Sequence, residues 1–231
     1  PQAGANHLVR ELSIGVGGPV EVVVVAPSPG LDGINGRMVG ASLEVPESSF
    51  SDSESAIEMT VSVDRLPILR SHVLNGKAVV PAALMVEWMA HGAMHGHPGM
   101  VFNRLVDFSV LKGIILNEEE SVNLSVKAMP PVKTESGILV PVQLVSQQAA
   151  GGSRVHARAQ VQLGNSVAKP DAPQISAGSF QPDGRTREDI YTPEFLFHGA
   201  DLEGLQQITE SDAHGIAATV TPAPKPSRSI N

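Results

Sequence analysis

One stretch constrains this chain more than any other: the run from Ala82 to about His95, opened by Pro81 and stopped by Gly96-His97-Pro98-Gly99. Proline fits the first turn of a helix because it needs no N–H there and its φ is already helical. The Gly/Pro cluster that follows is a strong stop signal. Between them lie Leu84, Met85, Val86, Trp88, Met89, Ala90, Ala93 and Met94. A helix apolar almost all round must be covered on all sides. At fourteen residues it is too short to cross a bilayer, and it contains Glu87 and His91.

The rest of the chain supplies the cover. Pro19–Val25, Met38–Val45 and Ala56–Val63 read as strands, the last two parted by a polar, acidic turn over 47–55. Leu66–Val80 is irregular in polarity. After the helix, Val101–Leu116, Ser121–Ala128, Ile138–Ser146 and Arg154–Leu163 read as strands. The last two alternate, with Val140, Val142 and Leu144 on one side and Val155, Ala157, Ala159 and Val161 on the other strand's matching side. A turn over 148–153 joins them. The pattern predicts an α+β hot-dog fold, an antiparallel sheet wrapped around a central helix. Residues 1–18 are expected to be linker, 19–164 the first hot-dog and 165–187 a Pro/Gly/Ser-rich linker. Residues 188–231 are expected to begin an incomplete second repeat, with Phe195–Ile208 helical or mixed and Gly215–Val220 a strand. Forty residues cannot close a core alone. They need either more chain or the first domain to pack on. The start at Pro1 without methionine suggests a piece of a longer polypeptide.

Composition narrows the function. A net charge of −8 argues against a general nucleic-acid surface. The absence of cysteine rules out disulfides, thiolate nucleophiles and cysteine metal sites, and fits a reducing cytoplasm. His91 and His95 have helical i, i+4 spacing and His97 follows. With no third ligand suggested, histidines complementing a helix C-terminus explain them better than zinc does, so no metal is expected.

The chemistry-bearing segment is His72–Pro81, with the form H-x-x-x-G-x-x-x-x-P carried by His72, Gly76 and Pro81. It resembles the signature of dehydratase domains of type I polyketide synthases and polyunsaturated fatty acid synthases. The helix from Pro81 to His91 and the stretch Val101–Leu116 resemble the same family. Phe195–Gln206 resembles the start of its second hot-dog repeat, although the usual Gly-Pro-x-Phe-Gln has become Gly199-Ala200-Asp201-Leu202-Glu203.

The resemblance implies a lyase that eliminates water from a β-hydroxyacyl thioester borne on the phosphopantetheine of an acyl carrier protein, giving the trans-2-enoyl form. Such a reaction needs a base near the α-carbon and an acid near the β-hydroxyl. His72 is the expected base, since imidazole titrates near neutrality. Amides at the helix start, such as that of Ala82, or that of Gly76 in the loop before it, are the candidate donors for the enolate oxygen. Gly76 is expected to permit a tight turn that brings the acyl chain against the backbone. Lys77 could meet the phosphopantetheine phosphate, but a solvated loop lysine is the simpler reading.

The acid has two candidates. One is Glu87, at the position where free-standing bacterial dehydratases carry a carboxylate facing the histidine of the other protomer. The other is an Asp of the second repeat, beyond Asn231; Asp201 lies too early to match it. No cofactor is implied. Other synthase domains and a second copy of the chain are the remaining expected partners. A non-catalytic, acyl-binding hot-dog domain of a megasynthase, or a hot-dog thioesterase, remains the alternative. His198 and His214 read as surface residues.

Overall fold

The computed structural model describes residues 21–25, 55–148, 152–167, 180–193, 195–212 and 215–221. In chain order the elements are β1 (Glu21–Val25), β2 (Ser55–Ser62), a 3-10 turn (Pro67–Ser71), β3 (Val73–Leu74), β4 (Lys77–Val79), α1 (Ala82–His95), β5 (Val101–Val110) and β6 (Ile115–Leu116). Then follow β7 (Ser121–Ala128), β8 (Val132–Thr134), β9 (Gly137–Gln147), β10 (Ser153–Gly164), β11 (Gln181–Pro182), α2 (Arg187–Ile190), a 3-10 turn (Ala200–Leu202), β12 (Leu205–Ser211) and β13 (Gly215–Val220). The strand expected over 38–45, the linker expected over 1–18 and His214 lie outside the described residues.

The chain forms two compact units. One, the helix-bearing unit, comprises Gly40–Val63 and Val79–Pro170; the other, the hairpin unit, comprises Pro1–Val39, Asp64–Ala78 and Asp171–Asn231.

In the helix-bearing unit the strands run antiparallel in the order β2-β7-β9-β10-β5, with β8 also on β9. Helix α1 packs against β2, β5, β7, β9 and β10, so the sheet is curled about it. This is the hot-dog arrangement. Met85, Val86, Met89, Ala90 and Ala93 are buried on the helix, and Val126, Val140, Val142, Leu144, Ala157 and Val161 are fully buried on the strands. At Gly92 the helix comes close to the sheet: a Cβ there would overlap the Val126 side chain.

Several expectations change in detail. The helix is not covered all round: Glu87, His91 and His95, spaced by four, form an exposed stripe. Pro81 does not occupy the first helical position. It is the N-cap, extended at φ −61° and ψ 144°, and its carbonyl accepts from the Leu84 and Met85 amides at 3.1 and 3.4 Å. Strand β9 is buried on both faces from Leu139 to Ser146, although its sequence alternates. A central strand covered on both sides hides its second face whatever its polarity. Pro141 fits inside this strand because β7 ends opposite Val142 and β8 starts opposite Leu139, leaving a gap in the ladder where no donor is required.

The expected strand Val101–Leu116 is broken after Val110. Within β5 a bulge interrupts the pairing with β10 between Arg158 and Gln160, and Asp107 adopts φ +53° there. Its carboxylate accepts from the Gln160 amide at 3.3 Å. A second bulge, in β10, leaves His156 unpaired between Val155 and Ala157. The His156 carbonyl instead accepts from the Leu111 and Lys112 amides at 2.8 and 3.1 Å. Its Nδ1 lies 3.0 Å from the Lys112 carbonyl, which can only accept, so Nδ1 carries the proton and Nε2 accepts from the Ser146 hydroxyl at 2.8 Å. Burial pushes the His156 imidazole below its ordinary 6.5.

The hairpin unit has the sheet order β1-β13-β12-β11, all antiparallel. The segment after the linker therefore pairs with the N-terminal strand. Ile190, Ile208 and Ala218 form a small core, with Tyr191, Leu196, Leu205 and Ile216 packed on it. Phe195–Ile208 is mixed rather than helical: it is irregular, then a single 3-10 turn, then the start of strand β12. Polar ties do much of the fixing. Thr186 and Asp189 form a capping box on α2. Asp183 takes Arg185 at 2.6 Å and the Ser211 hydroxyl at 2.5 Å, and these hold its carboxyl well below the usual range. Arg187 pairs with Glu203.

Candidate active site

The hairpin unit carries His72. The 3-10 turn Pro67–Ser71 is preset by its proline and closes as the His72 amide donates to the Leu69 carbonyl at 3.1 Å. The chain then enters the β3–β4 hairpin, in which Val73 faces Ala78 and Leu74 faces Lys77. Asn75 and Gly76 make the two-residue turn with φ +53° and +75°. Positive φ at both positions is the type I′ turn that Asn-Gly favours. A Cβ at Gly76 would meet nothing within 4 Å. Conformation, not crowding, is what calls for glycine there, so the expected tight turn is present and its cause is local. Lys77 is exposed beside it.

His72 is half-buried against the segment Phe197–Gly199. Its ring meets Phe197 edge-on, with centroids 5.1 Å apart at 63°, and His198 at 5.4 Å and 48°. Phe197 and His198 stack on each other at 4.6 Å and 18°. The backbone beneath is tied as well. The Gly199 amide donates to the Ser71 carbonyl at 2.8 Å. The Ser71 hydroxyl donates to the Asp201 carboxylate at 3.1 Å and accepts from the Asp201 amide at 3.2 Å. Burial pushes the His198 imidazole below its ordinary range, and the charge on His72 pushes it the same way.

The other expected site residues belong to the helix-bearing unit. Pro81 is buried and Ala82 partly so. No side chain caps the helix they open, and the first amides of any α-helix lack an intrahelical acceptor. Glu87 stands on the exposed stripe of α1. His97 bonds the Ala93 carbonyl at 2.9 Å, as a helix-end histidine should. Among the described residues no group of three or more His, Asp or Glu side chains is placed to hold a metal ion. Among them, too, no helix is long and apolar enough to cross a membrane.

Sequence reasoning placed His72 but read His198 as a surface residue. The signal was the Phe195–Gln206 motif itself: a segment resembling the opening of a second repeat turns out to lie against His72. Nothing in its spacing shows a contact with residue 72.

Comparison with known proteins agrees with the fold. Residues 38–140 match the model of the polyketide synthase dehydratase domain. A relative, a polyunsaturated fatty acid synthase polypeptide of Thraustochytrium sp. (strain ATCC 26185 / S-3), is 23% identical over 180 residues, 78% of this chain and 6% of that protein. Among solved structures, the dehydratase domain from the CurF module of curacin polyketide synthase superposes with a TM-score of 0.55 at 13% identity, covering 71% of this chain and 59% of that one. A dehydratase domain of a trans-AT polyketide synthase from Brevibacillus brevis gives 0.54 at 15%, covering 71% and 62%. The chain thus spans a small part of the synthase polypeptide and about three-fifths of each solved domain. These matches show the fold of polyketide synthase dehydratase domains, and residues 38–140 of this chain are similar in sequence to that domain family.

Proposed function

We propose that this chain is a dehydratase acting on a β-hydroxyacyl thioester carried by an acyl carrier protein within a polyketide or polyunsaturated fatty acid synthase. A nitrogen of His72 takes the α-proton. The C–H electron pair forms the Cα=Cβ bond, the Cβ–O bond breaks, and an acid protonates the departing hydroxide to give water and the trans-2-enoyl thioester. The amides of Ala82 or Gly76 receive the enolate charge that builds on the thioester oxygen. Both proton transfers use side chains, so neither a metal nor an organic cofactor is called for. The observation that carries this reading is the intact His72, Gly76, Pro81 spacing inside the family match, with the His72 ring held on a preset turn.

For the acid, the exposed stripe of α1 leaves the Glu87 carboxylate accessible to a second copy of the chain, and a carboxylate downstream of Asn231 is the other source. A 3-hydroxyacyl pantetheine thioester offered to the chain separates the possibilities. Enoyl product supports the dehydratase, free acid a thioesterase, and no turnover a scaffold. His72→Ala should slow enoyl formation by about a thousandfold; full activity in that variant removes the base assignment. Glu87→Gln should cost as much if Glu87 is the acid, and little if the acid comes from elsewhere.

A further inference from the structure

We propose that His198 is a positioning residue for His72: stacked on Phe197, it fixes the tilt of the His72 imidazole, so the aim of the base is set by a segment far along the chain. The inference rests on the reading of His72 as the base.

Two sets of contacts converge on residues 71 and 72. The first is made of rings. Phe197 meets the His72 ring edge-on, His198 meets it tilted, and the two partners stack on each other. Three planar groups in mutual contact leave little freedom to the χ2 torsion of His72, which is otherwise broad for an imidazole. The second is made of backbone. The Gly199 amide holds the Ser71 carbonyl at 2.8 Å, and a Cβ on Gly199 would fall 3.0 Å from the Ser71 Cα and 3.2 Å from its Oγ. Glycine is what lets the segment approach so closely. The Asp201 carboxylate and amide then grip the Ser71 hydroxyl from both sides. With Ser71 tied and the ring wedged, neither the Cα of His72 nor its imidazole swings alone.

The chemistry favours an uncharged neighbour here. When His72 takes the α-proton it becomes imidazolium, and a cation at residue 198 would oppose that step. Burial and the neighbouring His72 both disfavour a charge on His198, which suits a base that becomes cationic as it works. His198 thus supplies shape without competing for the proton.

The test compares His198→Ala and His198→Phe in the intact chain, with a 3-hydroxyacyl pantetheine thioester as substrate and the Cε1–H resonance of His72 as a second readout. His198→Ala should lower kcat about tenfold and leave KM within about twofold, because a misaimed base spoils alignment rather than binding. His198→Phe should restore kcat to within about threefold, and the His72 resonance, displaced in the alanine variant, should return toward its original position. If the phenylalanine variant is as slow as the alanine one, the imidazole moves a proton itself and the positioning role is wrong. Unchanged kcat and an undisplaced His72 resonance in the alanine variant would also overturn it. Should the unmodified chain show no turnover, the dehydratase reading fails, and the resonance alone still decides whether His198 sets the ring.

Discussion

The two units are stabilised in different ways. The helix-bearing unit is a continuous apolar layer: Met85 and Met89 of α1 lie against Val126, Val140, Val142 and Leu144, each exposing 2% or less of its surface. Among its described residues the hairpin unit buries Ile190, Ile208 and Ala218 as one small cluster, with Leu66, Leu69 and Ala78 buried besides, and it relies on ties such as Asp183–Arg185, Arg187–Glu203, Thr186–Asp189 and Ser71–Asp201. Yet the candidate base stands on the polar, lightly packed unit. Apolar burial is non-directional and tolerates small errors of aim. Hydrogen bonds and ring contacts fix angles. A frame is well made from the first, and a reactive group is well aimed by the second.

That contrast can be broken by experiment. Met89→Ala should cost about 2–5 kcal/mol, since it opens a cavity in a fully buried layer; thermal or denaturant unfolding measures it. Ile208→Ala removes a comparable side chain from the smaller core. It should strip hydrogen-exchange protection from β12 and β13 while the amides of α1 and β9 stay protected. Equal loss in both units would show that they unfold as one and that the contrast is only descriptive.

Gly76→Ala should cost about 1 kcal/mol, because the turn holds that residue at φ +75°, and Asn75→Ala should be felt in the same direction. Asp201→Ala should cost on the order of 1 kcal/mol in stability. With His72 as the proposed base, the sharper signature of this variant is a fall in kcat, since the Ser71 hydroxyl next to His72 loses its grip; stability lost with kcat intact would place Asp201 outside the aiming of His72.

The smallest effect concerns acid. His156 is buried and its pKa lies below 6.5 in the fold. The unfolded chain therefore binds this proton more readily, so its contribution is fully present above 6.5 and falls away as pH drops below it. His156→Gln should flatten the decline of Tm on mild acidification. A decline that stays as steep points to other groups.

The sequence made the helix-bearing unit readable where signals are local. Pro81 and the Gly96–Gly99 stop bracket α1 as observed, Ser121–Ala128 is β7 to the residue, and β9 and β10 each extend one residue beyond the expected ends. What escaped was set by partners distant in the chain. The break after Val110 comes from two bulges across β5 and β10. The burial of both faces of β9 comes from its central place in the sheet. The Asn75-Gly76 turn was legible and is the strongest short hairpin signal known; the irregular polarity around it hid two very short strands. His72 was legible as a motif, whereas its neighbours Phe197 and His198 were not, because periodicity does not report a contact across so many residues.

The Ser71–Asp201 bond joins residues 130 apart. At typical translation rates a ribosome spends roughly ten seconds between the two. For that interval a nascent chain holds its histidine on the 3-10 turn without the segment that clamps it. The surroundings of His72 are thus completed late in synthesis, long after the residues named in the motif have emerged.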